Sequence, residues 1–238
     1  MRSRIATVLA RAGSKGLADK NIRPFLGEPM LVRTIRQALT CGQFDCVAFS
    51  SDSEAYLNIA RSAGAQILVH RPAKFANDSV TKLPGIRHAV ETAEAELGLS
   101  FHVVADLAVT SPLRGHADVA GAVRLLEETN APLVLSGQRA KDNPYFNMLE
   151  QHWTKGWALS KELSGLVNAR QAAPEVVALN GAVYVWRRDE LAKPDDRVVR
   201  PGLEIYMMPH ERSFDVDDDF DFRLAEMVAR ISTGETDA

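Results

Sequence analysis

The stretch that decides the fold is IATVLARAGSKGLADKNI, residues Ile5 to Ile22. Its first six residues form an apolar run that predicts a buried β-strand. The loop that follows carries glycines, one arginine and two lysines, with little apolar content. Glycines let a backbone approach a ligand closely, and the N–H groups of such loops attract anions, so the loop suits a polyphosphate. The spacing matches neither a P-loop nor the GxGxxG fingerprint, and a solvated surface turn is the alternative.

Strands and helices alternate after this loop. Apolar runs predict further buried strands at 45–50, 66–69, 101–106 and 132–137. Segments with helical periodicity predict helices at 28–40, 54–63, 82–97 and 117–128. Such alternation predicts an α/β fold with a mostly parallel sheet and right-handed crossovers. Ligands bind at the carboxyl ends of the strands in sheets of this kind, which is where the first loop begins.

The bulk composition narrows the function classes. The 238 residues are enough for one domain with a full core, and 46% hydrophobic with 25% charged residues is ordinary for a globular protein. A net charge of −3 does not favour nucleic-acid binding. We expect no membrane span, because no apolar run approaches about 18 residues. With no secretory h-region, and with Cys41 and Cys46 expected to be reduced thiols, we expect a cytoplasmic protein.

An acidic run near the C-terminus, FDVD at 214–217, alternates apolar and charged residues. In an extended segment, Asp215 and Asp217 therefore point to one face. Two carboxylates on one face repel each other and favour a cation, and Mg²⁺ is the one that oxygen ligands and a nucleotide phosphate select. The acidic residues that follow, 218–221, fit the start of a C-terminal helix instead.

The segment 138–176 breaks the alternation of strands and helices. It contains the string NPYFNM at 143–148 together with Trp153 and Trp157. Aromatic residues without core periodicity indicate an interface or a substrate flap. We therefore divide the chain into a main α/β domain, 1–137 with 177–238, and a dimerisation or flap extension, 138–176.

Several motifs, in order along the chain, resemble the CMP-sialic acid synthetases (acylneuraminate cytidylyltransferases), including the bacterial CMP-legionaminate and CMP-pseudaminate synthetases. The matching strings are LARAGSKG at 9–16 with Lys20-Asn21, RPAKFAND at 71–78, TSPLR at 110–114, Arg170-Gln171, NGAVY at 180–184 and FDVD at 214–217. The resemblance implies a Rossmann-like nucleotide-diphospho-sugar transferase fold, with helices on both faces of the sheet and a dimerisation extension. It also implies a homodimer that uses Mg²⁺ and converts CTP and a nine-carbon 2-keto sugar acid into a CMP-sugar and pyrophosphate.

The resemblance implies a nucleotide site made from the first two motifs. Its residues would be Arg11, Ser14, Lys15, Lys20, Asn21, Arg71, Val80 and Thr81. Arg11 and Lys20, with Ser14 and Lys15, would hold the triphosphate, because a guanidinium fork and lysine point charges suit phosphates. Arg71, Val80 and Thr81 would contact the cytosine base, and Asn21 would help to place the nucleotide. Asp215 and Asp217 match the family's metal pair, so Arg11, Lys20 and Asp217 are the implied catalytic residues.

The resemblance also implies a site for the sugar acid. Its residues would be Thr110, Ser111, Arg114, Arg170, Gln171, Asn180 and Gly181. Arg114 has an alternative as a structural ion-pair partner, and Arg170 as an inter-chain one. Two positions depart from the family. Ala108 stands where a glutamine usually contacts the sugar acid, and Lys82 stands where a small polar residue is expected.

Two other functions stay open at this point. One is a CMP-KDO synthetase, which shares the fold but uses an eight-carbon acid; the strings TSPLR and NPYFN argue against it. The other is a catalytically silent CTP-binding regulatory protein of the same fold. The retained Asp215 and Asp217 argue against that function, because a binding protein has no need of a metal-bearing carboxylate pair.

Overall fold

The computed structural model describes residues 3–13, 16–76, 81–154, 156–163 and 169–234. Its strands are β1 Arg4–Leu9, β2 Pro24–Phe25, β3 Glu28–Pro29, β4 Cys46–Ser51, β5 Ile67–His70, β6 Val103–Leu107, β7 Leu133–Arg139, β8 Leu149–His152, β9 Gly156–Leu159, β10 Val177–Arg187 and β11 Glu204–Met207. Its helices are α1 Met30–Thr40, α2 Glu54–Ser62, α3 Lys82–Leu97, α4 His116–Thr129, α5 Arg188–Ala192 and α6 Asp219–Thr233.

Seven strands form the central sheet, in the order β11-β7-β10-β6-β1-β4-β5. The predicted parallel character is confirmed for β1 with β4, β1 with β6, β4 with β5, and β7 with β11. Strand β10 alone runs antiparallel, between β6 and β7. The predicted first strand is therefore central, and its carboxyl end opens between the ends of β4 and β6.

Both faces of the sheet are covered, which explains why its strands appear as continuous apolar runs rather than alternating ones. One face packs under α1, α2, α4 and α6, with Ile35 and Phe222 among its buried residues. The other packs under α3 and α5, with Ile86 and Leu191 fully buried. Strand β6 divides its side chains between the two faces: Ala105 and Leu107 face the first, and Val104 faces the second.

The element boundaries differ from the predicted ones by a few residues. Helix α1 begins at Met30 rather than Glu28, because Glu28–Pro29 pairs with Pro24–Phe25 in a small antiparallel ribbon. Strand β11 lies at the edge of the sheet. Within 138–176, β8 and β9 form a two-stranded sheet of their own, separate from the central one. Among the described residues, no helix is both long and apolar enough to cross a membrane.

Candidate active site

Two adjoining cavities open at the carboxyl edge of β1 and β6. The Lys82 cavity, about 350 Å³, is lined by residues that include Arg71, Thr81, Lys82, Asp106 and Ala108. The Lys20 cavity, about 470 Å³, is lined by residues that include Gly16, Lys20 and Asp217. Both cavities share four lining residues: Leu9, Arg11, Asn21 and Thr110. The predicted phosphate loop, base loop and acidic run therefore meet in one place.

Two polar side chains hold the loop after β1. Asn21 is 6% exposed, and its Nδ2 donates to the Arg11 carbonyl at 2.9 Å. From the end of β4, the Asp52 Oδ1 accepts from the Ala12 N–H at 3.0 Å. Asp52 was not predicted as a site residue, since its string Ser51-Asp52-Ser53 reads as a helix cap. The cap of α2 is Ser53, which leaves the Asp52 carboxylate for the loop.

Lys20 ties the first loop to the acidic segment. Its Nζ donates to the Val216 carbonyl at 2.7 Å and to Asp217 Oδ1 at 3.1 Å. A close backbone contact supports this junction, because a Cβ at Gly16 would lie 2.5 Å from the Asp217 backbone oxygen. The ammonium therefore lies where a triphosphate and an aspartate-held cation would meet.

The alternation predicted for the acidic segment is confirmed. Val216 is fully buried, and its N–H donates to the Thr110 carbonyl at 2.8 Å. The residues before and after it in the chain, Asp215 and Asp217, are both exposed. Partial burial raises the pKa of Asp215, and the charge of Asp217 acts in the same direction. A hydrogen bond with Thr110 and the charge of Lys20 oppose that rise.

This pair of carboxylates fits Mg²⁺. Among the described residues, no group of three or more histidine, cysteine or acidic side chains could hold a metal alone. Mg²⁺ commonly takes only one or two carboxylates from a protein and completes its coordination with water and substrate phosphates. Asp215 and Asp217 are therefore a suitable donor set once a nucleotide is bound, and their metal role stays a prediction.

The predicted base-binding residues lie partly in the Lys82 cavity. Arg71 lines it with a 6% exposed side chain, and burial lowers the pKa of this arginine. Thr81 lines the same cavity and precedes α3 without a side-chain capping hydrogen bond. Ser14, Lys15 and Val80 lie outside the described residues, so the structure does not test their predicted roles.

Four of the predicted sugar-acid residues lie at or behind this edge of the sheet. Thr110 lines both cavities. Ser111, Arg114 and Asn180 are instead buried and line neither cavity in the part of the chain that the structure describes. These three residues lie behind the residues that line the cavities. Their direct contact with a sugar acid stays a prediction.

Arg114 is 1% exposed, and its guanidinium joins helix α1, the loop after β6 and strand β10. Its NH1 donates to the Ala108 carbonyl at 3.0 Å and to the Ala182 carbonyl at 2.8 Å, and its Nε donates to Gln37 Oε1 at 3.1 Å. Burial lowers the pKa of Arg114 to about 10, although nearby Asp106 and Asp118 raise it. The guanidinium therefore donates to backbone carbonyls behind the cavity, and its predicted contact with a sugar acid stays a prediction.

Asn180 and Gly181 lie at an irregularity in β10, where the pairing with β7 shifts register. The Asn180 amide oxygen accepts from Ser136 Oγ at 2.6 Å, and its nitrogen donates to Ser213 Oγ at 3.1 Å. Gly181 has φ of +66°, a left-handed conformation that glycine adopts without strain. This pair shapes the strand beside Ala182, whose carbonyl Arg114 binds.

The remaining predicted residues lie in the extension. Gln171 lines a separate cavity of about 680 Å³ beside Arg139, Lys141 and His210, away from the two cavities at the β1 edge. Arg170 opens a 3-10 turn, Arg170–Ala172, and its side chain lies outside what the structure describes. Within one chain, Gln171 therefore lines neither of the two cavities that the other site residues surround.

Sequence reasoning missed one charged pair. Lys82 Nζ and Asp106 Oδ2 lie 2.8 Å apart, and both residues line the Lys82 cavity. An aspartate inside an otherwise apolar strand, at Asp106, was the available signal, because a buried carboxylate needs a partner.

The fold and the site define a class: an α/β protein with a basic loop and an acidic segment around the cavities at one edge of its sheet. The sequence profile of the family described as "Cytidylyltransferase" matches residues 5–202. The chain belongs to that cytidylyltransferase family. It is therefore a CTP-dependent nucleotidyltransferase by family, and the family resemblance seen in the motifs is confirmed.

Curated relatives extend the similarity over nearly the whole chain. The "Post-translational flagellin modification protein B" of Campylobacter coli is 31% identical, covering 95% of this chain and 94% of the relative. The "CMP-N,N'-diacetyllegionaminic acid synthase" of Campylobacter jejuni is 31% identical and covers 94% of each. The "N-acylneuraminate cytidylyltransferase" of Escherichia coli is 31% identical over 94% of this chain, which spans 52% of that relative.

Solved structures confirm the fold. A CMP:2-keto-3-deoxy-manno-octonic acid synthetase complexed with CTP matches with a TM-score of 0.65 at 14% identity, covering 98% of this chain and 99% of that one. A 4-diphosphocytidyl-2C-methyl-D-erythritol synthase from Anaerococcus prevotii matches with a TM-score of 0.64 at 10% identity, covering 96% of this chain and 99% of that one. At these identities the likeness concerns the fold alone.

The position of Arg114 predicts a stability effect. Replacing Arg114 by Met leaves the buried carbonyls of Ala108 and Ala182 without this donor, so we expect the free energy of unfolding to fall by roughly 2–5 kcal/mol. The control is Arg124→Met, which removes an arginine paired with Glu128 on the exposed side of α4 and should change stability by less than about 0.5 kcal/mol. Urea unfolding measures both, and equal losses would contradict the bracing role.

Proposed function

We propose that this enzyme activates a nine-carbon 2-keto sugar acid of the nonulosonic class with CTP, releasing a CMP-sugar and pyrophosphate. The observation that carries the proposal is the convergence of Arg11, Lys20 and Asp217 on one cavity that adjoins the Lys82 cavity. The acid class is supported by relatives that match along the whole chain, one of which is a CMP-N,N'-diacetyllegionaminic acid synthase.

The proposed reaction is an in-line attack by the anomeric hydroxyl of the acid on the α-phosphorus of CTP. In phosphoryl transfer of this kind, the protein mainly positions the reactants and stabilises charge. Arg11 and Lys20 bind and orient the triphosphate from the first loop, and Asn21 keeps the Arg11 backbone in place. Thr110, in the loop that follows β6, holds the acidic segment through its carbonyl, which accepts from the Val216 N–H.

Asp215 and Asp217 would hold the Mg²⁺ ion. When bound, this ion supplies charge neutralisation on the phosphate oxygens and lowers the pKa of a nearby hydroxyl. Lys20 contacts Asp217 and the Val216 carbonyl between the two aspartates, so it keeps the carboxylate pair beside the triphosphate.

The function is tested by pyrophosphate release with CTP and Mg²⁺ over a panel of acids. The panel contains N-acetylneuraminate, N,N'-diacetyllegionaminate, a pseudaminate derivative and KDO. Turnover of a nine-carbon acid is expected. Turnover of KDO alone would overturn the acid class, and CTP binding without turnover on any acid would favour the catalytically silent alternative.

Substitutions in the acidic run test the metal pair. We expect Asp215→Asn and Asp217→Asn each to lower turnover by about a hundredfold or more, because charge stabilisation at the phosphates is lost. The matched control is Asp219→Asn in the same run, since Asp219 pairs with Arg23 and Arg223 instead. Pyrophosphate release at saturating CTP over a range of Mg²⁺ concentrations measures all three. Near wild-type turnover of Asp217→Asn would contradict the metal assignment.

We also propose a homodimer formed through the extension. The β8–β9 hairpin exposes Leu149, Trp153 and Trp157, with Trp153 fully exposed and Trp157 68% exposed. Large aromatic residues in that state favour a protein interface. A second copy would also bring Gln171 towards the two cavities at the β1 edge, neither of which it lines within one chain.

Removing the exposed aromatics should weaken the dimer. We expect Trp153→Ser/Trp157→Ser to raise the dimer dissociation constant at least about tenfold, since aromatic anchors dominate interface energies. Phe220→Ser, which removes a 72% exposed aromatic from α6, is the control and should leave association unchanged. Sedimentation velocity over a concentration series measures this, and a monomeric parent protein would refute the proposal outright.

A cytoplasmic location is proposed as well. It is supported by the nature of CTP as an intracellular nucleotide and by two cysteines, Cys41 and Cys46, that are both free thiols.

A further inference from the structure

Lys82 lies at the junction of three elements. It is the first residue of α3, and Leu83 and Ile86 on the same helix are fully buried against the sheet. The helix thus fixes the Lys82 backbone at the carboxyl edge of the sheet. Its Nζ lies 2.8 Å from Asp106 Oδ2 on β6 and 4.5 Å from the ring centroid of Tyr184 on β10.

Asp106 holds this ammonium in one position. The carboxylate is 2% exposed, and its other oxygen accepts from Thr7 Oγ1 at 3.1 Å on the neighbouring strand β1. Burial opposes the charged form of Lys82, yet the charge and hydrogen bond of Asp106 leave the lysine pKa above its ordinary value. A buried ion pair gives little net stability. A pair in the middle of a sheet is therefore better explained by what it presents to the cavity.

The ammonium has capacity left for a ligand. A lysine carries three donors, and Asp106 is the one hydrogen-bond acceptor that the described residues provide for Nζ. The side chain keeps 34% exposure, and it borders the Lys82 cavity beside the small side chain of Ala108. Within the described residues, the Lys82 ammonium thus has donors that no acceptor uses, and there is space next to it.

The neighbouring charges place this donor close to the reacting centre. Lys82 and Asp215 are near enough for each to shift the pKa of the other. Among the described residues, four cations line the two cavities: Arg11, Lys20, Arg71 and Lys82. Arg11 and Lys20 belong to the triphosphate, and the Arg71 side chain is almost fully buried on the base side. Lys82 is the cation that the proposed nucleotide contacts do not use.

The acceptor acid supplies a matching group. In a 2-keto sugar acid, the carboxylate is bonded to the same carbon that bears the attacking anomeric hydroxyl. When that hydroxyl approaches the α-phosphorus beside Asp215, the carboxylate must lie within a few ångströms of the same place. A carboxylate among phosphates and aspartates needs a fixed cation, and a lysine ammonium meets that need.

We propose that Lys82 binds the carboxylate of the acceptor acid and that Asp106 is the positioning residue that aims its ammonium. The inference rests on the proposed function and deepens it, because it assigns the residue that binds the carboxylate of the acid. It also gives a reason for the departure at position 82, where a small polar residue was expected.

The test uses a variant that keeps the shape and removes the charges. Lys82→Met retains a long side chain over Tyr184, and Asp106→Asn in the same protein avoids leaving a buried carboxylate unpaired. The double variant and the parent are compared on the panel acid that the parent turns over. For each protein, KM for the acid and KM for CTP are measured separately, together with binding of that acid's C1 carboxamide. Lys193→Met, which removes an exposed lysine paired with Glu190 at the end of α5, is the charge control.

The expected result is a split between the two substrates. The double variant should raise KM for the acid about tenfold to a hundredfold and leave KM for CTP within about twofold, as expected for the loss of one charge-assisted contact. It should also lose the parent's preference for the acid over its carboxamide, which a purely structural role would not affect. A rise in KM for CTP alone would assign Lys82 to the base and overturn the proposal, as would unchanged values for both substrates.

Binding measurements separate this inference from the proposed function. Titration of each panel acid into the protein, with a non-hydrolysable CTP analogue present, reports acid binding without turnover. If the parent releases no pyrophosphate but binds an acid that the double variant does not, the function fails and the Lys82 assignment stands. If the parent turns over an acid that both proteins bind equally, the function stands and the Lys82 assignment fails. No binding of any acid by the parent refutes both.

Discussion

The parallel pairing of β1 between β4 and β6 is the constraint on which the rest of the site depends. In this register Leu9 lies beside Ser50 and Thr7 beside Asp106, so three strands end at the same edge. The loop after β1 can then be held from both sides, by Asp52 after β4 and by Asn21. Backbone hydrogen bonds of a buried sheet are costly to break, so this edge is a rigid base for the phosphate loop.

Much of the polar chemistry at this edge supports the backbone rather than facing the cavity. Arg114 satisfies carbonyls of the loop after β6 and of β10, and Asn180 joins β7, β10 and the segment that leads to the acidic pair. Buried groups of this kind hold neighbouring loops in one arrangement before the ligand arrives. Such preorganisation is what a phosphoryl-transfer site needs, because its catalysis depends on position and fixed charge.

The charged pair of Lys82 and Asp106 differs from these buried groups because both of its residues line a cavity. It breaks the local rule that a central strand is apolar, and it does so on the wall of a cavity. Places where a sequence violates such rules without an obvious gain in stability are commonly functional. Under our proposal Lys82 binds the acid while Arg11 and Lys20 hold the triphosphate, so the contact with the acid could change without a change in the triphosphate contacts.

The sequence by itself determined the local structure and the order of the motifs. Apolar runs and helical periodicity located β1, β4 to β7 and α1 to α4 within a few residues, and simple alternation oriented Asp215 and Asp217 about the buried Val216. They did not predict the short ribbon β2–β3, the hairpin β8–β9 or the short helix α5. Only the tertiary structure decided which polar groups meet. Arg114 is turned inward, Asp52 holds a loop 40 residues earlier, and Lys82 reaches an aspartate 24 residues later. Periodicity records which face of an element is buried. A hydrogen bond between elements leaves no such pattern, because it depends on which strands become neighbours in the folded sheet.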